Sequence, residues 1–60
     1  MTLPADTRLW PTEAREELHY RAGLLLSDAG RPPYTDAQVA AADRRAAPKV
    51  RRWWAQRGAR

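Results

Sequence analysis

The sequence predicts a small all-α fold, a three-helix domain preceded by an irregular arm. Apolar residues recur at helical spacing behind recognisable caps, and no segment alternates apolar and polar residues long enough to make a strand. Sixty residues allow one domain near the lower size limit for independent folding. There is no cysteine for a disulfide, and one histidine cannot build a histidine or Cys/His zinc site, so no metal or other cofactor is expected. The longest apolar stretch, Ala22 to Leu26, is far below the roughly 20 residues of a membrane span. The opening Met1–Asp6 lacks the basic and apolar regions of a signal peptide, which points to the cytoplasm.

Residues 1–11 read as the arm, because Pro4 and Pro11 bracket Leu3, Leu9 and Trp10 in a stretch without periodicity. Residues 12–60 read as a single helical domain with helices at about 12–29, 36–46 and 48–57. Thr12 is the expected N-cap of the first helix, and Glu13, Glu16 and Glu17 favour its positive end. Ala14, Leu18, Ala22, Leu25 and Ala29 share one face, with Leu26 at its edge. Gly23 costs that helix about 1 kcal/mol relative to Ala, and Gly30 is expected to end it in the left-handed conformation. Tyr20 and Leu24 form a second apolar strip, the expected contact of a homodimer. Gly30-Arg31-Pro32-Pro33-Tyr34 reads as a stiff, extended linker. Thr35-Asp36-Ala37-Gln38 fits a capping box for the second helix. Pro48 is expected to end that helix or to open the third, which Gly58 then stops. Leu18, Leu25, Val39, Val50 and Trp54 are the expected core.

Charge is segregated along the chain. Residues 1–43 carry all seven acids and four basic residues, a balance of −3; Arg44 to Arg60 carry seven basic residues and no acid, a balance of +7. Together these give the net charge of +4. Such segregation points to a polyanionic partner, duplex DNA first and an acidic protein surface second. The spacing from Val39 to Trp54 suits a helix-turn-helix without a wing. In its last helix Val50, Trp53 and Trp54 form the core or partner face, while Lys49, Arg52 and Gln56 occupy the opposite side.

Thr35-Asp36-Ala37-Gln38-Val39-Ala40, followed by Val50-Arg51-Arg52-Trp53-Trp54-Ala55-Gln56-Arg57-Gly58, resembles the helix-turn-helix of MerR-type regulators and phage excisionases, and transposase segments are similar. Where that family has a bulky apolar residue and a glycine in the turn, this chain has Asp43-Arg44-Arg45, and Ala46-Ala47-Pro48 replaces the Ser/Thr cap. The resemblance implies a small regulator or excisionase-like accessory factor. Its C-terminal helix would enter the major groove, with Arg52 and Gln56 reading bases and Arg44, Arg45, Lys49, Arg51 and Arg57 completing the DNA-binding set. Gly30-Arg31-Pro32 resembles the core of an AT-hook, with Arg31 the minor-groove residue. The alternative is a small adaptor or inhibitor, phage-encoded in one version, that holds an acidic protein surface with the Trp/Arg-rich helix. Enzymatic chemistry is not expected: His19 lacks an oriented partner, Ser27 lacks a neighbouring base, and no glycine-rich phosphate loop exists.

Overall fold

The computed structural model describes residues 2–58, and all regular structure among them is helical. A single-turn 3-10 helix, Thr7–Leu9, precedes two long helices, α1 at Thr12–Ala29 and α2 at Asp36–Gly58. The all-α expectation holds, but the number of helices is corrected. The segments expected at 36–46 and 48–57 are one uninterrupted helix that runs through Pro48. Arg60, counted above with the basic end of the chain, lies outside the described residues.

Pro48 lacks the N–H that would bond the Arg44 carbonyl, and its ring crowds that carbonyl, at a cost of about 3 kcal/mol in a helix interior. Packing offsets it. Ala46 and Val50 flank Pro48 on the buried face and are both 0% exposed, whereas Arg44 and Pro48 face water, which can solvate the freed carbonyl. A turn at Pro48 would separate Ala46 from Val50 and open the face they share. The long dimension of the molecule, 38 Å, is close to the length of a single 23-residue helix, about 35 Å. The expected helix-turn-helix is therefore replaced by a two-helix hairpin.

The helix boundaries follow from local chemistry. Pro11, not Thr12, occupies the cap position of α1; Thr12 is already helical and makes no side-chain cap. The Pro11 carbonyl accepts the Arg15 N–H at 3.0 Å. Gly30 ends α1 at φ 158, ψ −159, a mirror-extended conformation open almost only to glycine, rather than the left-handed helical one. Its N–H bonds the Leu26 carbonyl at 3.1 Å, and the Tyr34 hydroxyl donates to the Gly30 carbonyl at 3.0 Å. The capping box of α2 forms as expected: Gln38 N–H donates to Thr35 Oγ1 at 3.1 Å, and Thr35 N–H donates to Gln38 Oε1 at 2.8 Å.

The helices are antiparallel, since Glu13 near the start of α1 pairs with Arg57 near the end of α2. Their interface is built on steps of four residues: Ala14, Leu18 and Ala22 from α1, Ala42, Ala46 and Val50 from α2, all buried. Leu25 and Leu26 pack against this core while half-buried, and Leu25 shares clefts with Ala42 and Ala46. Of the expected core, Leu18 and Val50 are buried, Leu25 and Trp54 half-buried, and Val39 exposed. Val39 lies in the first turn of α2, beside the last turn of α1, and is 39% exposed.

The arm is more ordered than expected. Leu3 and Trp10 are 6% and 3% exposed and complete the core. Trp10 donates its indole N–H to the Pro4 carbonyl at 2.7 Å, so the buried ring leaves no polar group unpaired. Asp6 caps the 3-10 turn through the Arg8 N–H at 2.9 Å. It also takes the Arg8 guanidinium on both carboxylate oxygens, at 2.9 Å from Nη2 and 3.1 Å from Nε.

Candidate nucleic-acid interface

At 100° per residue, positions 45, 49, 52 and 56 of α2 fall within a sector of about 60°. Arg45, Lys49, Arg52 and Gln56 thus form a stripe along one flank of the helix, all four exposed. Arg44 is exposed about 100° from Arg45, nearer the outer face that carries Pro48 and Ala55. Among the described residues no carboxylate lies within 4.0 Å of Arg44, Arg45, Lys49 or Arg52. Their charge faces water without compensation.

The two remaining arginines of the expected set are committed elsewhere. Arg51 donates from Nη1 to the Leu3 carbonyl at 2.9 Å, and from Nη2 to the carbonyls of Pro4 at 3.1 Å and Ala5 at 3.4 Å. Its guanidinium also stacks 5.1 Å from the centre of the Trp10 ring. Arg57 pairs with Glu13 and lies 5.0 and 5.1 Å from the ring centres of Trp53 and Trp54. Both bind the hairpin to itself, Arg51 half-buried against the arm and Arg57 at its exposed end. Val50 is fully buried, and Trp53 and Trp54 are half-buried with ring centres 6.1 Å apart and planes tilted by 55°. The expected core role of Val50 therefore stands. Arg31 is exposed in the connection between the helices, well separated in sequence from the stripe.

One contributor comes from the half of the chain that carries the acids. Arg21 of α1 reaches the open groove between the helices, where Lys49, Arg52, Trp53 and Gln56 form the other wall. Glu17 accepts a hydrogen bond from Arg21 Nε at 2.7 Å and holds the side chain along the flank. The signal was present in the sequence, since Arg21 stands four residues after Glu17 beside the Ala14–Leu18–Ala22 face. Counting charge by chain halves hid it. The groove continues toward Leu24, Leu25 and Ala46, still bordered by Arg21 and Lys49.

Other expectations have definite places. Tyr20 is 64% exposed on the outer side of α1, and Leu24 is 51% exposed at the edge of the groove. Among the described residues no group of three His, Cys, Asp or Glu side chains could hold a metal ion, and no helix is long and apolar enough to cross a membrane. Compared with family models, curated proteins and solved structures, the chain matches none.

Proposed function

We propose that this protein binds duplex DNA through the exposed cations of α2, laying the continuous helix along a groove. What supports the reading above all is that Arg44, Arg45, Lys49 and Arg52 are exposed, uncompensated and carried on one rigid element. Arg44, Arg45, Lys49 and Arg52 hold phosphates, and the Gln56 amide, one turn beyond Arg52 on the stripe, bonds to the same strand. These four cations of α2 release about four counterions, which gives a slope of log affinity against log salt near −3.6, and each phosphate contact from α1 adds about −0.9. Were Arg51 and Arg57 also on phosphates, six contacts would give about −5.4. Fluorescence anisotropy on random duplex at several salt concentrations measures that slope. No binding at about 50 mM salt by folded protein overturns the proposal.

One small hairpin buries little DNA, so specificity calls for two copies, and Tyr20 and Leu24 are the surface through which α1 pairs them. Sedimentation of Leu24→Glu against the parent chain tests this. A second reading, an adaptor that grips an acidic protein surface, draws on the apolar Leu24 and Leu25 beside the cations of the groove. It requires binding to an acidic peptide that survives salt better than binding to duplex.

A further inference from the structure

We infer that the groove between the helices is a specific seat for one phosphodiester group, built by Arg21, Lys49, Arg52 and Gln56 with Trp53 as its wall. The inference rests on the proposed DNA binding for its natural ligand but on separate residues and geometry for its substance. Three cations converge there from two helices, and one acid, Glu17, offsets only part of Arg21. Glu17 occupies Nε of Arg21, so the two terminal nitrogens of that fork are not used by the pair.

The chemistry of the donors selects the ligand. A carboxylate has two oxygens and is satisfied by one guanidinium fork. This groove offers two forks, an ammonium and an amide N–H2 from two walls, an approach that does not match the single plane of a carboxylate. A tetrahedral phosphate presents oxygens in several directions and suits donors approaching from two walls. Arg45 extends the same stripe by one turn beyond Lys49, which leads a neighbouring phosphate along α2 rather than closing the site around a small ion. The ligand is therefore a phosphodiester within a strand. Arg21 becomes the residue that makes a cleft out of a convex helix surface.

The test is a nitrogen–proton NMR titration of the full chain, following the arginine Nε–H and tryptophan indole N–H signals, with a short duplex and separately with inorganic phosphate. Duplex is expected to shift Arg21, Arg52 and Trp53 and to leave Trp10, whose N–H is held by Pro4, unmoved. Arg21→Gln should weaken duplex binding about tenfold and reduce the salt slope by about 1. Arg15→Gln, an equal charge change on the exposed other flank of α1, should leave both nearly unchanged. Duplex binding with Arg21 and Arg52 unmoved, or equal effects of the two substitutions, overturns the phosphate seat and leaves DNA binding intact. Phosphate shifting Arg21 and Arg52 while duplex does not bind keeps the seat and removes the DNA reading. No shift with either ligand overturns both.

Discussion

The two flanks of α2 carry the same kinds of residue and use them in opposite ways. On one flank Arg51 gives its N–H groups to three backbone carbonyls of the arm and stacks on Trp10. On the other, Lys49 and Arg52 face an open groove with no acid within reach among the described residues. Arg51 and Arg52 are adjacent in sequence and about 100° apart on the helix. That rotation decides which becomes part of the fold and which stays free for a partner. Basic residues on a helix thus cannot be pooled as one binding surface; each must first be asked what it already holds.

Substitutions on the two flanks should separate cleanly. Trp10→Ala removes a 3%-exposed ring and should cost about 3–5 kcal/mol, enough to unfold much of so small a domain, as read by urea denaturation. Pro48→Ala should stabilise by about 2 kcal/mol, because it restores the N–H for the Arg44 carbonyl, less the chain entropy that proline had removed from the unfolded state. A loss of stability in that variant would mean that the helix breaks at Pro48 after all. Arg51→Ala should cost about 2 kcal/mol through its bonds to the arm, with little change in DNA affinity once folding is restored by osmolyte. Arg52→Gln should do the reverse, weakening duplex binding by about 1 kcal/mol while stability stays within about 0.5 kcal/mol. If the two substitutions have matching effects, the contrast between the flanks is lost.

The smallest effect concerns pH. Hydrogen bonds from the Arg8 side chain, then from its backbone N–H, hold the Asp6 carboxyl below its ordinary value of 3.8. The same partner raises Arg8. A carboxyl depressed in the folded state binds its proton less readily there than in the unfolded chain. Its contribution is therefore complete above the ordinary carboxylate range and fades as pH falls through the folded-state value. The exposed pair makes this modest. Acid should loosen the arm in the parent chain, seen as a change in the Trp10 signal, and Asp6→Asn should show the loosened signal already at neutral pH.

Much of this architecture could be read from residue spacing. The Thr35–Gln38 box, the buried Ala14–Leu18–Ala22 row and the role of Val50 depend on local chemistry and period, and those are written in the sequence. The continuity of α2 was not, because Pro48 is a strong local signal that loses to non-local packing of Ala46 and Val50. The polar Asp43-Arg44-Arg45, where the resembling family has a glycine turn, was the clue that no turn forms. The arm escaped for a related reason: Leu3 and Trp10 have no period, and their burial depends on α2, more than 40 residues away. Arg21 was missed because the antiparallel register, not its neighbours in sequence, brings it beside Lys49.

The bond between Leu3 and Arg51 also fixes an order of events during synthesis. The contacts between α1 and α2 close outward from the connection, from Leu26 and Ala42 to Glu13 and Arg57, whereas the arm must wait for a partner 48 positions downstream. A ribosome delivers the arm before α2, so Leu3 and Trp10 emerge ahead of the helix that buries them. Until Arg51 is made and clear of the exit, the indole of Trp10 is exposed beside an unfinished core. Assembly of this hairpin is thus expected to end with the arm, which seals the two helices that follow it in the chain.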